Sequence, residues 1–184
     1  WLTVYALSTE NLSRPKDELD LLFKLYDEGL RDIADDDRIH DNKVKVQIIG
    51  RRELLPKLVN DAIDYAEQKT ADYDDFVFTV CLAYGSREEM LNAIQSIAEE
   101  HAAGDLPLAN IDEKAVSERL YTGEMPDPDL VIRTSGEERI SNFLLWQMAY
   151  SELYFTDVYW PSFQKKDLLK AVRTFQERKR RYGE

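Results

Sequence analysis

Arg133 and Arg139 lie six residues apart and flank a polar, glycine-bearing loop, Thr134-Ser135-Gly136-Glu137-Glu138. A guanidinium is permanently charged and presents a planar fork of donors that matches two oxygens of a phosphate. Leu130-Val131-Ile132 ahead of the loop has the length and composition of a buried strand. An apolar-rich stretch follows that reads as a helix, with Ser141 or Asn142 placed to cap its first turn. Strand, loop and helix start would aim backbone N–H groups and the positive end of a helix dipole at the loop. The expectation is an anion site for a phosphate or diphosphate. The alternative is a solvated loop on which Arg133 and Arg139 pair with Glu137 and Glu138.

A second polar cluster follows the opening apolar stretch: Ser8, Thr9, Glu10, Asn11 and Arg14, closed by Pro15. Taken alone, Ser8 and Asn11 are turn residues ahead of a helix, because short polar side chains bond their own backbone there. Glu152 alone reads as a solvated acid at the end of the helix after Arg139.

The elements that must position these residues alternate. Trp1–Ser8 reads as a strand; Pro15 starts a helix whose Leu19, Leu22, Tyr26, Leu30 and Ile33 recur at helical spacing. Lys43–Ile49 is a strand ending at Gly50, and Leu54–Gln68 is a helix. Asp75–Ala83 is the clearest buried strand. Arg87–Ala102 is an amphipathic helix carrying Met90, Leu91, Ile94 and Ile97, and Asp112–Leu120 is a short helix. Tyr121–Pro128 is a loop, Leu153–Thr156 a last strand and Asp167–Arg180 a terminal helix. Alternating strands and helices imply an α/β fold with a mainly parallel central sheet flanked by helices. Ligands of such sheets sit at the carboxyl ends of strands, where both polar clusters begin. The 184 residues suit a single domain, 1–184.

Composition narrows the partners. Twenty-four basic against 36 acidic side chains give a net charge of −12, which argues against a nucleic-acid binder. Five aspartates fall in Asp32–Asp41, and eight basic residues in Lys165–Arg181. The plain reading is a solvated acidic turn and a solvated basic helix; the sharper one is a peripheral membrane contact by the basic end. The acidity suits a salt-adapted or archaeal cytoplasm. No apolar run is long enough to span a bilayer. The single cysteine, Cys81, lies in an apolar run and reads as buried and inert, which fits a reducing cytoplasm. His40 and His101 lack ligand spacing for zinc.

Two long segments in the same order carry a resemblance. RTSGEERISNFLLWQMAYSELYFTDVYWPSF resembles the C-terminal signature of the cis-prenyltransferases, the undecaprenyl diphosphate synthase family. Tyr5-Ala6-Leu7-Ser8-Thr9-Glu10-Asn11-Leu12-Ser13-Arg14-Pro15 resembles that family's Y-A-x-S-x-E-N-x-x-R-P motif. A weaker match continues to Tyr182. The resemblance implies a magnesium-assisted transferase that joins isopentenyl diphosphate to an allylic diphosphate, farnesyl or geranylgeranyl. Each new double bond forms in cis, and the product is a long-chain polyprenyl diphosphate, precursor of a glycosyl-carrier lipid. It implies that Arg133, Arg139, Ile140 and Ser141 hold isopentenyl diphosphate and that Glu152 helps bind Mg²⁺. Ser8, Thr9, Glu10, Leu12 and Arg14 would line the junction between the substrates. Asn11 stands at the position assigned to proton removal, and because an amide is a poor base it reads as a positioning group. The resemblance further implies a cytoplasmic homodimer built on the aromatics Trp146, Tyr150, Tyr154, Phe155, Tyr159 and Trp160.

Three departures accompany it. Leu12 stands where bacterial members usually carry Trp, and Ala83-Tyr84-Gly85-Ser86-Arg87 differs from N-Y-G-G-R at two positions. The family's N-terminal D-G-N-x-R phosphate loop, with its magnesium-binding aspartate, is not among these residues. These residues alone are therefore expected to lack the first strand of the sheet and to be inactive. The competing expectation is a non-catalytic partner subunit of a heteromeric cis-prenyltransferase.

Overall fold

The computed structural model describes residues 1–123 and 125–178, and its packing falls into two compact units, Trp1–Met125 and Pro126–Glu184. In the first unit, strands β1 (Leu2–Tyr5), β2 (Val44–Ile49) and β3 (Phe76–Cys81) form a parallel sheet in the order β1-β3-β2. Tyr5, Cys81 and Ile49 stand in register, so the three carboxyl ends form one edge. The continuous apolar run of β3 follows from its central position.

Helices α1 (Lys16–Asp35) and α3 (Lys57–Lys69) pack on each other and supply half of the core. Leu30 and Ala34 of α1 meet Val59, Ala62, Ile63 and Ala66 of α3, with Val46, Ile48 and Val80 from the strands. The alanines at 62 and 66 fall on one helix face and let the backbones approach closely. The stripe Leu19, Leu22, Tyr26, Leu30, Ile33 lies on the covered side, while Leu21 and Leu25 face out. The outer edge of β2 is capped by side chains: the Val46 N–H donates to Thr70 Oγ1 and the Ile48 N–H to Glu67 Oε1, both at 2.9 Å.

The aspartate-rich turn is built rather than merely solvated. Asp36 ends α1 and caps α2 (Asp37–Asp41), accepting from the Arg38 N–H at 2.8 Å. Its guanidinium and backbone bonds with Arg38 hold the Asp36 carboxyl down at about 2. His40 bridges the Tyr73 hydroxyl and the Ala34 carbonyl, both at 2.9 Å.

Helix α4 (Ser86–Ala103) is rotated from what its largest apolar residues suggest. Its buried stripe is Ser86, Glu89, Ala93 and Ile97, while Leu91 and Ile94 are exposed. Helix α5 (Glu113–Ser117) packs against it, capped by Asp112.

In the second unit, β4 (Leu130–Arg133) and β5 (Glu152–Phe155) form a parallel pair, and α6 (Lys165–Glu177) packs against β4. A capping box of Gln164 and Asp167 starts α6. The expected end of this helix at Arg180 lies outside the described residues. The helix expected after Arg139 does not form: residues 141–150 run in turns. Ser141, Asn142 and Leu144 have φ of 53°, 61° and 43°, a left-handed conformation that a right-handed helix cannot accommodate. Neither Ser141 nor Asn142 is therefore a helix cap, and Glu152 opens a strand instead of closing a helix. Tyr150, Tyr159 and Trp160 are exposed, and Trp160 stacks on Phe163. No helix among the described residues is long and apolar enough to cross a membrane.

Candidate functional site

In the first unit the carboxyl edge of the sheet carries the Ser8–Arg14 segment. Past β1 the Ala6 and Leu7 N–H groups both donate to the Cys81 carbonyl, a bulge that turns the chain off the strand line. Ser8 then pairs with Tyr84 in an isolated parallel bridge. Ser8 and Asn11 lock each other. The Ser8 N–H donates to Asn11 Oδ1 and the Asn11 N–H to Ser8 Oγ, both at 3.2 Å. With Oδ1 so occupied, the Asn11 amide nitrogen and the Ser8 hydroxyl proton are the donors this turn can offer an oxygen-bearing ligand. That suits a positioning role for Asn11 better than a base.

Leu12 packs against the core from the following 3-10 turn, Glu10–Ser13. Thr9 Oγ1 lies 3.4 Å from Glu10 Oε2, and Arg14 pairs with Glu18 one turn into α1. Beneath the segment, the Tyr26 hydroxyl donates to the Ala6 carbonyl at 2.8 Å. Burial raises its pKa against the opposing effect of Arg14, so the hydroxyl stays a donor.

Tyr84 and Glu89 join this edge without having been singled out for it. Both side chains are fully buried; the Tyr84 hydroxyl donates to Glu89 Oε2 at 2.5 Å, and the Tyr121 N–H donates to Oε1 at 2.8 Å. Burial, then the neighbouring carboxylate, push the Tyr84 hydroxyl upward and keep it protonated. The sequence signal was present in the 3-4-4 spacing of Ser86, Glu89, Ala93 and Ile97. It was masked because the larger apolar side chains lie elsewhere on the helix.

In the second unit Arg133 ends β4 and the polar loop follows. The loop's amides are already engaged: Ser135 N–H donates to the Val158 carbonyl and Gly136 N–H to the Thr156 carbonyl, both at 2.9 Å. The expected array of free N–H groups at a helix start is thus absent at those two positions, and the cationic side chains remain. Gly136, at φ 67°, lies so close to Asp157 that an added Cβ would meet Oδ1 at 3.1 Å. Arg139 pairs with Glu137, as the alternative reading of the loop anticipated, and Arg139, Ile140 and Ser141 are all exposed.

Glu152 starts β5 opposite Leu130, whereas Arg133 is three rungs further along, opposite Phe155. At ~3.3 Å per residue that is roughly 10 Å of strand, so the acid and this arginine stand at opposite ends of the pair. Glu152 Oε2 accepts from Arg178 Nη1 at 2.6 Å. No group of three or more metal-ligating side chains occurs among the described residues. One partly exposed carboxylate fits an ion that keeps its waters and takes its other ligands from substrate phosphates, as Mg²⁺ does.

Comparisons with known proteins span both motifs. The family model described as "Putative undecaprenyl diphosphate synthase" matches residues 1–183. The Methanopyrus kandleri protein named tritrans,polycis-undecaprenyl-diphosphate synthase (geranylgeranyl-diphosphate specific) is 54% identical over 99% of this chain and 67% of its own length. The Pyrococcus horikoshii protein of the same name is 52% identical, over 99% of this chain and 69% of its own. Among solved structures, lavandulyl diphosphate synthase from Lavandula x intermedia, in complex with dimethylallyl diphosphate, superposes with a TM-score of 0.94 at 36% identity. That match covers 100% of this chain and 78% of the other. The chain belongs to the undecaprenyl diphosphate synthase family of cis-prenyltransferases.

Proposed function

We propose that this protein condenses isopentenyl diphosphate with an allylic diphosphate in cis, building a long-chain polyprenyl diphosphate that serves as a glycosyl-carrier lipid precursor. The observation that carries the reading is the intact Ser8–Arg14 segment at the carboxyl edge of the first sheet, in a chain more than half identical to named synthases. The names of these relatives favour geranylgeranyl over farnesyl diphosphate as the primer. The family match over residues 1–183 supports treating both units as one cis-prenyltransferase domain.

In this reading Arg133, Arg139 and Ser141 hold the diphosphate of isopentenyl diphosphate, with Ile140 beside it. Arg139 must exchange Glu137 for phosphate, which its exposure permits. Ser8, Thr9, Glu10 and Arg14 face the junction of the two substrates, with Leu12 packed on the core beneath them. Asn11, locked to Ser8, orients the reacting groups through its amide nitrogen while the allylic diphosphate leaves, the carbon–carbon bond forms and the proton lost from isopentenyl C2 passes to diphosphate or water. Glu152 would contribute to holding Mg²⁺, which when bound neutralises charge on a departing diphosphate. The exposed Tyr150, Tyr159 and Trp160 support a homodimer through the second unit, and the basic α6 supports peripheral contact with an anionic membrane.

The test is incorporation of radiolabelled isopentenyl diphosphate by the complete gene product with Mg²⁺ and geranylgeranyl or farnesyl diphosphate, beside Arg139→Ala. Chain growth that falls at least about tenfold in the variant, mainly through KM for isopentenyl diphosphate, is the expected result. No incorporation by folded, complete protein would overturn the reading in favour of a non-catalytic partner subunit.

A further inference from the structure

Tyr84 has two sides that do different things. Its backbone grips the Ser8–Asn11 segment: the Tyr84 N–H donates to the Leu7 carbonyl at 3.1 Å, and its carbonyl accepts from the Thr9 N–H at 3.0 Å and the Tyr5 hydroxyl at 3.1 Å. Its side chain points the other way, into the interior, where its hydroxyl meets Glu89 Oε2. The Tyr5 and Tyr84 rings meet edge to face with centroids 5.9 Å apart. Glu89 lies in the first turn of the 18-residue helix α4, where the helix dipole favours a carboxylate, and its other oxygen takes the Tyr121 N–H.

A fully buried carboxylate is expensive unless its oxygens are bonded, and a packed apolar residue would serve stability as well. Here the two oxygens join two segments distant in sequence, the 5–11 turn by way of Tyr84 and the chain at Tyr121. We infer that Glu89 is a positioning residue: through Tyr84 it holds the Ser8–Asn11 turn in register with the sheet edge, and through the Tyr121 amide it ties the chain at Tyr121 to the same point. The functional half of this inference rests on the proposed prenyl transfer; the structural half does not. Tyr5 supports the same segment by a separate bond: its hydroxyl donates to the Tyr84 carbonyl, whereas the Tyr84 hydroxyl donates to Glu89.

The test uses the complete protein with Tyr84→Phe, Tyr5→Phe and Glu89→Gln; Glu89→Ala is avoided because it leaves buried donors without an acceptor. Thr70→Val is the control, since Thr70 accepts the Val46 N–H at the outer edge of β2 and bonds neither segment. Two quantities are read: amide exchange at Thr9 and Tyr121, and kcat and KM for isopentenyl diphosphate. Tyr84→Phe is expected to speed exchange at Thr9 and lower kcat by about tenfold while KM stays within about twofold, because the turn is displaced rather than the diphosphate clamp. Glu89→Gln, which keeps one acceptor oxygen, should lie between wild type and Tyr84→Phe. Thr70→Val should lower the melting temperature and leave both readouts unchanged. Unchanged exchange at Thr9 and Tyr121 in folded Tyr84→Phe and Glu89→Gln would overturn the inference, as would faster exchange with wild-type kcat. If the wild-type protein does not incorporate substrate, the proposed function fails, and amide exchange by itself decides whether Glu89 organises the turn.

Discussion

Gly50 offers the sharpest test of how the candidate site edge is built. It follows β2 with φ at +129°, and a Cβ placed there would lie 2.0 Å from the Leu82 carbonyl oxygen. That oxygen is backbone, so no side-chain rotation relieves the contact. β2 and β3 would have to part by about 1 Å at their carboxyl ends to reach even a close van der Waals contact. Two hydrogen bonds flank the spot, Leu82 N–H to the Ile49 carbonyl at 3.0 Å and Arg51 N–H to the Ala83 carbonyl at 3.1 Å. Losing both costs about 2 kcal/mol, and the positive φ adds ~1–2 kcal/mol for a residue bearing Cβ, so Gly50→Ala should destabilise the fold by roughly 3–4 kcal/mol. Gly104 is the matched control: it closes α4 at φ +86° with nothing within 4 Å of an added Cβ. Gly104→Ala carries only the conformational penalty, about 1 kcal/mol. Urea denaturation followed by circular dichroism gives both values, provided the transitions are two-state with equal slopes. A Gly50→Ala penalty no larger than that of Gly104→Ala would refute the steric argument.

Further outcomes follow from the core and the capped turn. Thr70→Val keeps the side-chain shape but removes the oxygen that accepts the Val46 N–H, so stability should fall by ~1–3 kcal/mol in the same denaturation assay. Asp36 has its carboxyl lowered from 3.8 to about 2, so its contribution is complete above the unfolded value and is lost as pH falls through about 2. The melting-temperature gap between wild type and Asp36→Asn should therefore persist at neutral pH and close between about pH 4 and pH 2. Cys81 is fully buried, and burial followed by the nearby Glu89 charge raises its thiol pKa. An aromatic disulfide reagent should leave it unmodified in native protein at pH 8 and titrate one thiol in denaturant; rapid native labelling would contradict the packing around β3.

The sequence by itself determined what local rules govern. Apolar runs placed the five strands of the described residues, and 3.6-residue periodicity the long helices, because each element's apolar pattern must match the face it buries. Leu19, Leu22, Tyr26, Leu30 and Ile33 declared the inner face of α1 for that reason. The two polar motifs were legible as residue types at strand ends. Tertiary structure decided the rest. The stretch after Arg139 has a helical composition, yet three left-handed residues turn it, since propensity is a weak preference that packing overrides. Arg133 and Glu152 share a signature in the chain but stand at opposite ends of β4 and β5, because parallel pairing puts the start of one strand beside the start of the other. The inner face of α4 belongs to Ser86, Glu89, Ala93 and Ile97 rather than to its leucine and isoleucine neighbours. What selects that face is the partners Glu89 finds in Tyr84 and the Tyr121 amide, a long-range match of donors to acceptors that no window of the sequence contains.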